Sequence, residues 1–180
     1  MHPLAQFVAY WIRLPAELKG MKFGKNSFIA PGYDWFFVQL KGISTGDNVV
    51  IGQNAWLQTV GDGRITIGDG TQIGRNAVIS AMRKISIGKK CLISYNVSIF
   101  DHDHNTNSPE VSPMDSGLSE PATTSIGDNC FIGAHSFILK GVQLGDHCVV
   151  GANSVVTQSF PANSLIAGSP AIFIRSLNNP

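Results

Sequence analysis

Large aliphatic side chains recur six residues apart over most of this chain. The clearest run starts hexads at Ile126, Ile132, Ile138, Leu144, Val150 and Val156 without a slip. The next residue is usually glycine (Gly127, Gly133, Gly145, Gly151), and the fifth is small or β-branched (Cys130, Ser136, Val142, Cys148, Ser154). The same pattern starts at Ile87, Ile93 and Ile99, and at Ile67, Ile73 and Ile79. Weaker versions start at Thr45, Ile51 and Leu57, and at Phe23, Ile29 and Trp35. An ordinary strand alternates with period two and cannot produce this repeat. A triangular solenoid can: each hexad is a short strand and a turn, and three hexads close one coil. The first residue then points inward and stacks on its equivalents. The fifth sits at a corner with room for a small side chain, and the glycine is expected to relieve the bend. At a strand spacing of about 4.8 Å, six coils make a prism roughly 29 Å tall.

Extra residues fall after Trp35, Leu57, Ile79 and Ile99, always between the last hexad of one coil and the first of the next. Insertions confined to one corner of a solenoid mark a working edge. The longest, from about Asp101 to Thr124, is a functional arm or a disordered loop, since it lacks the aliphatic content of a domain. Before the repeats, a short apolar stretch from Phe7 to Ile12 is interrupted by Arg13 and Pro15. It is too short for a membrane span and lacks the flanks of a signal peptide. An amphipathic helix from Leu4 to Leu18, packed on one end of the domain, is expected. Only Arg13 and Lys19 are basic there, so membrane contact is expected to be peripheral at most. The expected organisation is a helical segment over 1–22, the solenoid over 23–161 with a loop over 101–124, and a strand and tail over 162–180.

Composition narrows the partners. Charged residues make up only 14%, and the 19 glycines suit strands and tight turns. A net charge of +1 offers no general field for nucleic acid, and the basic residues are scattered. Cys91, Cys130 and Cys148 are odd in number and have no CxxC spacing, which fits reduced thiols in the cytoplasm. All three fall at the small fifth position, so packing is their expected role and a nucleophile the minor alternative.

The arm opens Ile99-Phe100-Asp101-His102-Asp103-His104-Asn105. A hydroxyl attacking a carbonyl group needs a base to remove its proton, and a neutral imidazole suits that task. Asp101 or Asp103 is a candidate to orient the ring. A solvated loop start is the bland alternative for any pair of loop histidines. An EF-hand is excluded by Thr106 and Ser112, where glycine and glutamate are needed. A zinc site on His102, His104 and His135 is a minor alternative, and no metal is expected. His135 and His147 stand at the fourth position of their hexads, where surface placement is expected, and His2 is terminal. Neither a Walker A motif, a dinucleotide fingerprint nor a Gly-x-Ser-x-Gly elbow occurs.

The hexads from Ile126 to Thr157, followed by Pro161-Ala162-Asn163-Ser164-Leu165-Ile166-Ala167-Gly168-Ser169-Pro170-Ala171, closely resemble the hexapeptide-repeat acetyltransferases. The resemblance covers roughly Phe23 to Arg175 and is strongest to the sugar O-acetyltransferases: the maltose and galactoside enzymes and those that acetylate lipopolysaccharide and capsule. It implies an all-β fold, the left-handed parallel β-helix, and an acetyl-CoA-dependent enzyme working as a homotrimer with active sites between subunits. By position, His104 matches the family's catalytic base, with His102 and Asp101 beside it. The positions matching the CoA site are Phe131, Ala134, Gly151, Ala152, Thr157, Gly168 and Arg175. There Phe131 replaces a stacking tryptophan, and Arg175 is the candidate for a CoA phosphate. A backbone N–H near Ala134 is the candidate for the oxyanion.

Departures bear on the acceptor. Gly74 replaces an acceptor-binding asparagine, Met82 replaces an acidic residue, and Asn105 follows the base where proline is usual. These differences point away from galactoside or maltose and toward a polysaccharide repeat unit or a nucleotide-linked sugar. Three alternatives stay open at this stage. They are N-acetyl transfer to an amino-sugar nucleotide, a γ-carbonic-anhydrase-like metalloenzyme, and a catalytically silent trimeric scaffold.

Overall fold

The computed structural model describes residues 3–34 and 36–178. Trp35 and His2, both singled out in the sequence, lie outside the described residues. The chain forms the expected all-β solenoid of parallel coils, with one helix before it. Three stacked sheets make the faces of the prism. The first face holds Ile43–Thr45, Arg64–Ile67, Lys84–Ile87, Thr124–Ile126 and Gln143–Leu144. The second holds Phe28–Ile29, Val50–Ile51, Gln72–Ile73, Leu92–Ile93, Phe131–Ile132, Val149–Val150 and Ser164–Gly168. The third holds Trp56–Thr59, Val78–Ala81, Ser98–Phe100, Phe137–Ile138 and Val155–Val156.

The register confirms the hexad alignment residue by residue. Thr45, Ile67, Ile87, Ile126 and Leu144 pair in order on the first face. Ile51, Ile73, Ile93, Ile132, Val150 and Ile166 do so on the second, and Leu57, Ile79, Ile99, Ile138 and Val156 on the third. These aliphatics are buried, each stabilising the fold by about 1.5–3 kcal/mol where it is a fully enclosed isoleucine. The stack runs further than 161, because Ile166 continues the second-face ladder above Val150. Ala171–Ser176 then turns back antiparallel on that last strand. Thr124 belongs to a strand and not to the arm: it is buried, and its hydroxyl donates to Phe100 O at 2.9 Å.

Two corner residues have roles different from those expected. The second-position glycines are not in the left-handed region; they are there because the next coil lies too close for a side chain. A Cβ on Gly74 would stand 2.5 Å from Ser94 backbone, and one on Gly133 would stand 2.5 Å from Ala152 N. The bend itself is made at the fourth position, where Asn48, Asn54, Asn76, Asn96, Asn129 and Asn153 all have φ between 55 and 57°. Asparagine tolerates that conformation better than most residues. His135 and His147 occupy the same position with φ of 59° and 57°, and both are exposed as expected.

The cysteines fill the fifth position and are buried. Each thiol donates to a carbonyl of the following coil, Cys91 to Gly127, Cys130 to Gly145 and Cys148 to Pro161, at 3.0, 3.2 and 3.2 Å. Cys148 and Cys91 on either side, together with burial, push the Cys130 thiol up, so it stays protonated. The helix, Pro3–Leu18, lies on the first coil through Ala16 and Ile12. Tyr33, whose phenol pKa is raised by burial, donates to Ile12 O at 2.6 Å, and Arg13 sits over the Phe23 ring.

Candidate active site

The edge between the third and first faces carries the arm. Ile99 is the last inward residue, and Asp101 follows with no exposed surface. The Asp101 carboxylate accepts backbone N–H groups from all three residues that turn the preceding coil. Oδ1 accepts from Met82 at 2.7 Å, and Oδ2 accepts from Arg83 and Lys84 at 2.8 and 2.7 Å. A buried carboxylate without such donors would be costly. Its Oδ1 also lies 2.8 Å from His102 Nδ1, and the His102 side chain is only 10% exposed. Asp101 therefore orients His102 and not His104.

Beyond this anchor the arm is ordered. Asn105 N–H donates to Gly117 O and Ser119 N–H to Asp103 O, at 2.9 and 2.7 Å, so the outgoing limb pairs with the returning one around His104 and Leu118. Asp103 pairs with Lys140 at 3.1 Å, and Lys140 also donates to Ser119. Arg83 ties Glu120 to the coil below at 2.6 Å. Asp103 is thus committed to Lys140, and among the described residues no carboxylate pairs with His104. The His104 imidazole is exposed at the base of a braced arm.

The opposite edge of the third face is lined by small residues. Gly133-Ala134, Gly151-Ala152 and Ala167-Gly168 stack there in successive coils. Asn153 N–H donates to Ala134 O at 2.9 Å, and a Cβ on Gly151 would lie 2.9 Å from the Ala167 side chain. Ala134, Gly151, Ala152 and Gly168 are therefore brought together. Thr157 is not with them; it follows Val155–Val156 onto the arm edge. Phe131 faces outward on the second face, and Arg175 is exposed on the antiparallel strand beside Leu165. His135 belongs to the small-residue edge, where its ring meets Tyr95 at 5.5 Å and Asn96 at 3.3 Å. One chain thus keeps His135 apart from His102 and His104. Among the described residues no group of three or more His, Cys, Asp or Glu side chains could hold a metal ion.

Sequence reasoning missed the anchoring role of Asp101, although its place two residues after the inward Ile99, on the same side of the strand, was a usable signal. It also missed the aspartates at the third hexad position. Asp47, Asp69, Asp128 and Asp146 stand at one corner, where Asp69 and Asp146 accept the N–H of the aspartate in the coil before. That bond from Asp47 holds the Asp69 carboxyl below its ordinary range.

Comparison with known proteins agrees with the fold. The family model described as the hexapeptide repeat of succinyl-transferase matches residues 64–100 and 123–158. The putative lipopolysaccharide biosynthesis O-acetyl transferase of Escherichia coli K12 is 34% identical over 144 residues, covering 76% of this chain and 73% of that protein. Galactoside acetyltransferase, solved in complex with coenzyme A, superposes with a TM-score of 0.62 at 26% identity, over 99% of this chain and 74% of that one. An N-acyltransferase from Bacillus cereus, solved with dTDP and 3-hydroxybutyryl-CoA, gives a TM-score of 0.75 at 25% identity over 89% and 86% of the two chains. A solenoid in unbroken hexad register, a histidine-bearing arm and a relative of this extent together make the chain a member of the hexapeptide-repeat acetyltransferase family.

Proposed function

We propose that the protein moves an acetyl group from acetyl-CoA to a sugar hydroxyl, with His104 as general base, in modification of a surface polysaccharide such as lipopolysaccharide O-antigen or capsule. The observation that carries this reading is the disposition of the third face. An exposed imidazole stands on a braced arm at one edge, and a line of glycine and alanine stands at the other. The small residues leave room for the pantetheine arm along the coils, with Phe131 for stacking, Thr157 beside the arm and Arg175 for a phosphate. The two edges lie at opposite ends of the third-face strands, roughly 15 Å apart. One chain cannot close both on a single acceptor, whereas neighbouring prisms can, which supports a homotrimer with its sites between subunits. Its acceptors are polysaccharide repeat units or nucleotide-linked sugars in the cytoplasm. Among the described residues no helix is long and apolar enough to cross a membrane.

In the reaction, the acceptor hydroxyl gives its proton to a His104 ring nitrogen while its oxygen attacks the thioester carbonyl. The oxyanion accepts a hydrogen bond from a backbone N–H near Ala134. The tetrahedral intermediate then expels the CoA thiolate, which takes the proton back from the imidazolium. CoA release is measured across free sugars, oligosaccharides and nucleotide sugars. His104→Ala is expected to slow acceptor-dependent release roughly 10²–10⁴-fold with an unchanged fold. A loss of that size in His102→Ala, with His104→Ala near wild type, would transfer the role of base to the Asp101–His102 pair. The buried carboxylate contact of His102 is what makes that second reading worth testing. Transfer to amines alone, with little effect of His104→Ala, would instead make the protein an N-acetyltransferase of an amino-sugar nucleotide.

A further inference from the structure

The end of the prism that carries the helix has a surface chemistry unlike the rest. The helix meets the first coil through Ile12 and Ala16, yet it also presents apolar side chains elsewhere: Trp11, Leu14, Pro15 and Leu18 line one groove together with Lys19. Leu18 is 80% exposed at the helix terminus. In the first coil, Asp34 accepts the N–H groups of Phe36 and Phe37 and turns the chain there. The two rings pack edge to face at 5.0 Å, and Phe37 is 86% exposed. Exposed leucine and phenylalanine at one end of a molecule mark a contact surface.

Charge decides what that surface contacts. Next to the helix terminus lies a groove of about 940 Å³ with Lys22, Lys41 and Arg64 in its walls and Asp62 as its one acidic side chain. Gly20, which directly follows Leu18 and Lys19 in the chain, lines this groove and packs against Lys41. Glu17, the acidic residue of the helix's last turns, is paired with Arg13 at 3.0 Å. Exposed apolar side chains beside a basic groove are suited to the headgroup layer of an anionic bilayer: the apolar groups reach the acyl boundary and the cations meet phosphates. A second copy of the chain, placed end to end, would oppose Lys19, Lys22 and Lys41 to themselves.

We propose that the helix end of the prism docks on an anionic lipid bilayer, with Leu18 and Phe37 inserting and Lys19, Lys22 and Lys41 facing the phosphates. The test is co-sedimentation of the full chain with vesicles of phosphatidylcholine, with and without a minority of phosphatidylglycerol. Binding to the anionic vesicles is expected to exceed binding to neutral ones at least 10-fold or so and to fall with added salt. Lys22→Glu with Lys41→Glu, and separately Leu18→Asp with Phe37→Ser, are each expected to lower the partition coefficient about 10-fold or more. All four sites are exposed, and unchanged circular dichroism and melting confirm that the variants fold. Equal binding to both vesicle types, or wild-type binding by either variant, would overturn the proposal. So would end-to-end association in light scattering that Leu18→Asp abolishes, since a second copy would then be the occupant.

Discussion

The first and second faces of the prism are built on the same inward ladder and differ almost completely outside it. The first turns out Ser44, Thr66, Ser86, Ser125 and Gln143 along its height, flanked by Arg64 and Lys84. The second turns out Phe28, Val50, Leu92, Phe131, Val149 and Leu165, with Gln72 as the polar exception. Val50 and Leu92 remain 42% and 48% exposed in the single chain. Inward positions are filled for packing alone and look alike on every face. Outward positions report what each face meets, and an apolar column of this height is suited to a neighbouring prism.

The sharpest way to break this contrast is to charge the apolar face. Val50→Asp with Leu92→Asp is expected to convert the proposed trimer to monomer in sedimentation and to cut acceptor-dependent CoA release by about 10² or more, because the proposed sites are shared. Thr66→Asp with Ser86→Asp on the polar face is expected to leave mass and rate unchanged. Equal effects from both pairs would refute the assignment of faces.

Inside the prism the contrast should disappear. Ile85→Ala and Ile93→Ala, inward on the first and second faces and both fully buried, are each expected to cost about 3 kcal/mol in denaturant unfolding. A gap between them of more than about 1 kcal/mol would mean that the faces are not packed equivalently. Asp101→Asn removes half of the acceptor set for Met82, Arg83 and Lys84 and should cost about 2 kcal/mol. It should also free the His102 ring, visible as a new imidazole environment by NMR. The smallest expected effect is at a corner: Asn76→Ala, at φ 56°, should lose about 1 kcal/mol, while Asn76→Gly loses less.

Legibility in the sequence followed the range of the interaction. The inward ladder could be read because every coil repeats it, so Ile67, Ile87 and Ile126 reveal their stacking even across insertions of unequal length. The fifth-position cysteines and the fourth-position histidines followed from the same frame. The glycines were placed correctly but for the wrong reason. A repeat shows that no side chain fits, and only the distance to the next coil shows what excludes it. The arm was found as an insertion, but its order was not. The pairing of residues 103–105 with 117–119 and the Lys140 contact depend on where the returning limb lands.

The sequence by itself determined the architecture and its register, since one hexad rule applied many times over-determines a stack of coils. It also placed the histidine-bearing arm at one corner, because all four insertions fall between the third hexad of one coil and the first of the next. Tertiary structure alone decided which histidine Asp101 holds, that the arm and the small-residue line occupy opposite edges of one face, and that a basic groove adjoins the apolar helix tip. Asp101 holds its chain neighbour because contacts about one coil away, such as that with Met82, fix its carboxylate, and Gly20 meets Lys41 at a similar separation. Such contacts are set by how coils of unequal length superpose, which no local pattern encodes.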